Sequence, residues 1–192
     1  HFTVNQMIVP DLPQDLLPST DEYLSTMEVY QEKDVPIKQA VPNETVWLDE
    51  LKIEFLAPLQ FYDTMNNNSV VVKLTYGDTS FLMMGDAEKE EEQDLLNSGA
   101  NLQADVIKIG HHGSKTSTTQ EFLNAVQPDM AVISVGPDKN ELPKSEVLQR
   151  LEASNVKTYR TDSSGTVIFM SDGADITAVS YTHLTLPTTS RV

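Results

Sequence analysis

Cysteine is absent from the 192 residues. No disulfide can staple the fold and no thiolate can hold a metal, so any ion must be bound by His, Asp or Glu. The absence itself is compatible with an oxidising or a reducing compartment. Basic residues are scarce: 13 Lys and Arg stand against 29 Asp and Glu, a net charge of -16. That argues against a broad basic groove binding nucleic acid by charge alone. It leaves a nucleic-acid substrate open, because a bound cation reverses the local charge. No apolar run approaches the roughly 18 residues a membrane span needs. No basic-plus-apolar leader opens the chain. Hydrophobic residues make up 39 %, which with this length suits one domain with a real core.

The two ends read differently from the middle. The chain opens on HFTVNQMIVP, without a methionine, and reads as a fragment whose upstream part is missing. The tail VSYTHLTLPTTSRV, from Val179, is similar to one reading frame of a transposon mosaic-end adapter; the plainer reading is a polar tail. The expected division is a partial domain over 1–178 and a non-native tail over 179–192. His183 then belongs to no site and His1 lies at an edge. His111 and His112 remain as the imidazoles to weigh.

Residues 1–45 are rich in proline and hold one helix signal, STDEYLSTMEVYQEK, with Ser19 or Thr20 as cap and acidic residues in its first turn. Strand signals follow. VWL (46–48) and KIEFLAP (52–58) flank a turn at DE, and SVVVKLTY (69–76) and TSFLMMG (79–85) flank Gly77-Asp78. Beyond Phe81 strand and helix alternate. AEKEEEQDLLNSGA, STTQEFLNAV and KSEVLQRLEASN read as helices. ADVIKIG, DMAVISVG, VKTYRT and TVIFMS read as strands, the last two joined at DSSG. That order favours an α/β fold with a parallel sheet and crossover helices. The run EKEEEQD (88–94) reads as the solvated face of its helix, without chemistry.

Parallel strands bring their C-terminal ends to one edge of a sheet, where ligands bind. Three strands end at MMGD, KIGHH and ISVG. They bring Asp86, His111 or His112, and the loop after Gly136 to that edge. Carboxylate and imidazole suit Zn or Mn ions. Asp86 has a second reading, as N-cap of a helix starting at Ala87. The histidines have one as a polar loop start, or with one imidazole binding metal while the other orients it or meets substrate. GSKTSTT (113–119), with Ser114 and Lys115, offers N–H groups and hydroxyls to a phosphate, or ordinary capping by Ser117 or Thr118. Asn68, in MNNNSVV, is a candidate substrate contact or a turn residue.

Three segments carry a resemblance: NNNSVVVKLTYGDTSFLMMGDAEKEEEQDLL, ADVIKIGHHGSKTSTTQEFLNAVQPDMAVISVG and EVLQRLEASNVKTYRTDSSGTVIFMSDG. Over about residues 44–173 the sequence resembles the metallo-β-lactamase-like domain of ComEC-type DNA-uptake proteins and their stand-alone relatives. The resemblance implies an αββα sandwich, here partial, of two face-to-face sheets with helices outside. It implies a dinuclear zinc or manganese site and hydrolysis of a small-molecule or nucleic-acid phosphodiester by a metal-activated water. Asp86, His111 and His112 would serve as metal and catalytic residues, and an exported, cell-surface placement on a bacterium would follow. Two departures stand out. The family's first motif, of HxHxDH or HxDxDH type, is absent, and Leu142 precedes Pro143 where many relatives have a YGHP histidine. The rival reading is a non-catalytic member of the same fold that binds a ligand or partner. A phospho-acceptor domain is a distant third, since its acidic cluster needs an earlier parallel strand end.

Overall fold

The computed structural model describes residues 3–136 and 141–181. His1, His183 and the tail from Thr182 lie outside them. The chain begins with a parallel pair, β1 (Met7–Val9) and β2 (Ile37–Gln39), bridged by α1 (Asp21–Glu32). Thr20 caps α1, its hydroxyl oxygen accepting the Tyr23 N–H at 3.3 Å.

An antiparallel meander follows: β3 (Thr45–Leu48), β4 (Leu51–Ala57), β5 (Val71–Tyr76) and β6 (Thr79–Met83). From β6 onward the connections are crossovers. α2 (Lys89–Asn97) leads to β7 (Val106–Lys108), α3 (Gln120–Val126) to β8 (Met130–Ile133), and α4 (Ser145–Ala153) to β9 (Lys157–Arg160). These strands run parallel, so one seven-stranded sheet in sequential order is half meander and half βαβ. The meander leaves no earlier parallel strand end beside β6, which disposes of the phospho-acceptor reading.

Right-handed crossovers place α2, α3 and α4 on one face of the sheet. There Leu82, Ile107 and Ala131 pack under Leu95, Phe122, Leu123, Val147 and Leu151. The other face carries a ribbon of β10 (Thr166–Ser171) and β11 (Ile176–Tyr181). Phe169 meets Phe81 and Tyr159 edge-on, with centroids 6.3 and 5.5 Å apart. The Asp78 N–H donates to the Gly173 carbonyl at 2.7 Å. One helix layer, the large sheet and a second sheet reduced to a ribbon make up a partial αββα arrangement. Although DSSG joins them, β9 and β10 do not pair: β9 closes the large sheet while β10 pairs β11. β11 includes Val179, Ser180 and Tyr181, the first residues of the segment read as a tail. Among the described residues, no helix is long and apolar enough to cross a membrane.

The acidic run of α2 is not a solvated face. Glu91 and Glu92 are 0 % and 1 % exposed. The helix lays its first turns against α3 and the loop before β5, and carboxylates on that side have nowhere else to go. Glu92 has partners: it accepts the Thr118 N–H and, at 2.9 Å, the Thr119 N–H at the start of α3. Glu91 has none. Burial pushes its carboxyl up to about 9, with Asp94 and Glu92 adding to the effect. The Ser69 backbone N–H, outside hydrogen-bonding geometry, opposes this only in part. Glu91 is therefore a neutral acid at pH 7 in the folded state and ionised in the unfolded one. Its full contribution to stability holds below the ordinary carboxyl value of 4.5 and is lost as pH rises toward about 9. Linkage sets an upper bound of about 1.4 kcal/mol per pH unit in that window. Urea unfolding of Glu91→Met is expected to show a gain over the parent that grows from pH 5 to pH 8. A pH-independent difference would contradict the assignment.

Candidate metal centre

Parallel register puts the exits of β6, β7 and β8 side by side. β6 leaves through Gly85, whose φ of +57° permits a sharp turn, and a Cβ there would lie 2.9 Å from the Ser69 side chain. The Asp86 N–H donates to Ser69 Oγ at 2.9 Å. The helix that follows begins at Lys89 with Glu88 at its N-cap. Asp86 therefore does not cap, which corrects that alternative, and its carboxylate is free for the site. The side chain is 42 % exposed.

β7 leaves through a turn at Gly110–Gly113 in which both histidines are left-handed, His111 at φ 44° and His112 at φ 54°. Gly113 follows at φ +79°. Such conformations cost about 1–3 kcal/mol each for a residue with a side chain and persist only where surrounding bonds over-determine them. Those bonds are present. The His111 N–H donates to the Gly85 carbonyl at 3.2 Å, and the Ser114 N–H to the His111 carbonyl at 2.9 Å. Buried Ser117 donates its hydroxyl to the Gly110 carbonyl at 2.8 Å. The Lys144 N–H donates to the Gly113 carbonyl at 2.9 Å.

The twist sends the two rings apart, with planes 67° from each other. His112 donates from Nδ1 to the Ser134 carbonyl at the exit of β8, at 2.6 Å. That bond requires a proton on Nδ1 and turns Nε2, the ligating nitrogen of the neutral ring, toward Asp86 Oδ1 at 3.5 Å. His111 turns its Nδ1 to Glu88 Oε1 at 3.0 Å. The same carboxylate oxygen accepts the Thr116 hydroxyl. Glu88 in turn donates its N–H to Asn67 Oδ1 at 3.0 Å.

Asp86 and His112 thus face each other at the strand exits, while His111, next in the chain, turns its Nδ1 to Glu88. The other candidates separate from them. Asn68 is 1 % exposed. Its amide donates to the Tyr62 and Thr64 carbonyls, both at 2.7 Å, and its oxygen accepts the Tyr62 N–H. It ties the loop before β5 and meets no substrate; Asn66 is the residue whose amide lies 3.4 Å from His111 Nδ1. Ser114 shares a hydrogen bond with Thr116 at 2.9 Å, and Lys115 is exposed on the rim. The N–H groups before α3 do not await a phosphate, because the Glu92 carboxyl oxygens already accept them. Neither Ser117 nor Thr118 caps α3; Thr119 does, accepting the Phe122 N–H at 3.3 Å. Sequence reasoning missed Glu88, two residues after Asp86, and the Ser134 carbonyl, which no side-chain pattern reveals. Residues 137–140 of the GPDKNELP segment lie outside the described residues.

The chain belongs to the metallo-beta-lactamase superfamily: the family's sequence profile matches residues 11–136. Its curated relatives include proteins of ComEC type. ComE operon protein 3 of Bacillus subtilis (strain 168) is 38 % identical over 152 residues, covering 72 % of this chain and 20 % of the relative. Competence protein ComA of Neisseria gonorrhoeae is 37 % identical over 124 residues, covering 63 % and 18 %. The chain therefore spans about a fifth of these relatives' length. Among solved structures, CmlA, a diiron beta-hydroxylase from Streptomyces venezuelae, superposes with a TM-score of 0.53 at 12 % identity, covering 82 % of this chain and 38 % of that one. That likeness concerns the fold.

The donor chemistry fits the metal that the family implies. Asp86 offers an exposed carboxylate, and His112 an imidazole locked in the ligating tautomer. The donor count is partial: among the described residues, no group of three or more His, Asp or Glu is placed to enclose an ion. Removing Glu88 takes one hydrogen-bond partner each from the Thr116 hydroxyl and the His111 ring. Glu88→Ala is expected to cost about 1–3 kcal/mol in urea unfolding, and Glu121→Ala, on an exposed position of α3, less than about 0.5. Equal effects would remove Glu88 from the site's framework.

Proposed function

We propose that this chain is part of a ComEC-like metallohydrolase acting on phosphodiesters, nucleic acid included, with Asp86 and His112 as ligands of a divalent ion. One observation carries the reading: Asp86 Oδ1 and His112 Nε2 face each other at 3.5 Å while the opposite ring nitrogen is held by Ser134. Such a bond to the far nitrogen is what orients an imidazole for a metal. A zinc or manganese ion bound there, one of a pair in this reading, would supply Lewis acidity and a nucleophilic water at neutral pH.

The chain's own residues would do the rest. His111, oriented by Glu88, would meet the substrate beside the ion. Lys115 on the rim offers charge to a phosphate oxygen in a protein otherwise strongly acidic. Ser114 holds the loop that presents it. The competence names of the relatives support a DNA-related substrate, and this reading includes an extracellular or cell-surface placement.

A second reading keeps the fold and binds a ligand or partner without catalysis. Glu141-Leu142-Pro143, which carries no imidazole, favours it. Zn²⁺ titration and hydrolysis of bis-p-nitrophenyl phosphate separate the two. Asp86→Ala and His112→Ala are each expected to weaken Zn²⁺ binding at least about tenfold. Unchanged affinity in both would overturn the ligand assignment. Metal-dependent hydrolysis lost in the same variants supports the first reading, and metal binding without turnover supports the second.

A further inference from the structure

Lys108 is the last residue of β7. In register it lies between Met83 of β6 and Val132 of β8, on the sheet face opposite Ile107 and the helices. Its ammonium does not run out to solvent. It turns back to the strand exits and donates to two main-chain carbonyls, Gly85 and Ile109, each at 3.3 Å. Both belong to the site's framework. The Gly85 carbonyl is half of the peptide unit that leads into Asp86, and the Ile109 carbonyl leads into the turn that carries both histidines.

The Gly85–Asp86 peptide is therefore gripped at both ends. Its N–H donates to Ser69 Oγ at 2.9 Å. Its carbonyl accepts from the His111 N–H at 3.2 Å and from Lys108. Rotation of this peptide plane is the motion that would re-aim Asp86, because Gly85, at φ +57°, offers little resistance of its own. Burial pushes the Lys108 ammonium below the usual lysine range, and the Asp86 carboxylate opposes this in part. A chain this short of cations has put one where it touches backbone at both ligand-bearing exits.

We propose that Lys108 is a positioning residue: by joining the Gly85 and Ile109 carbonyls it holds Asp86 at the distance from His112 that a shared ion requires. The metal role rests on the ligand reading above. The joining of the two exits does not, and it has a readout of its own.

The test is the Lys108→Met variant of the whole chain, which keeps an unbranched stem and removes the donor. In ¹⁵N spectra without metal, the Asp86 and His111 amides are expected to shift, and the His111 N–H, bonded to Gly85, to exchange with deuterium at least about tenfold faster. Amides of β10 and β11 serve as the control and should keep their shifts and exchange rates. Lys108→Arg, which keeps a charge and several donors, should restore the parent pattern in large part. Zn²⁺ affinity of Lys108→Met should fall about tenfold, the range for residues that orient ligands. Unchanged Asp86 and His111 amides would overturn the proposal, as would changes no larger than those in the ribbon. A parent chain that takes up no Zn²⁺ would sink the ligand reading, and the amide measurements would still decide the role of Lys108.

Discussion

The hydrogen bond from His112 Nδ1 to the Ser134 carbonyl is the constraint on which the rest of the site depends. It joins the exits of β7 and β8, selects one tautomer, and turns the other ring nitrogen toward Asp86 at the exit of β6. Two adjacent parallel strands bring this bond together, and a third, β6, brings Asp86 opposite the ring. The crossover helices that make those strands parallel are therefore as much a part of the site as its side chains. The left-handed turn at His111 and His112 follows from the same requirement. The sharp twist of the backbone between them sends two adjacent imidazoles to different partners.

α2 supplies the counterweight to that strained turn. Glu88 takes the His111 ring and the Thr116 hydroxyl, and the Lys89 N–H donates to the Thr116 carbonyl at 2.9 Å. Glu92 accepts the Thr118 and Thr119 N–H groups just before α3, and Arg150 of α4 donates to the Ser117 and Thr118 carbonyls. The loop carrying the histidines is thus held by charged side chains from two helices, in a region of low exposure where such bonds are strong. Glu91, without a partner in the same helix, opposes this stabilisation and is the place where the arrangement carries a cost.

Much of this was legible in the sequence. Alternating strand and helix signals beyond Phe81 gave the parallel half of the sheet, and turn residues gave the meander before it. Asp86 and the histidine pair were found because chemistry-bearing residues at the ends of parallel strands share one edge. The failures have one physical cause: they depend on partners distant in the chain. EKEEEQD has the composition of a solvated helix, but Glu92 bonds residues 26 and 27 positions away. Asn66 and Asn68 differ by two places in a 3-10 turn, and one faces His111 while the other ties the loop. Ser134 acts through its main chain, which side-chain identity does not encode. The Asp86 capping alternative was plausible locally and lost because the helix begins two residues beyond Ala87, with Glu88 at its cap.

The most direct measurement is on the imidazole nitrogens themselves. Long-range ¹H–¹⁵N spectra of the histidine rings, recorded while Zn²⁺ is added, report which nitrogen is protonated and which meets the ion. The account predicts that His112 carries its proton on Nδ1 throughout and that its Nε2 resonance alone moves strongly on metal addition. A His112 ring protonated on Nε2, or a metal response confined to His111, would contradict it.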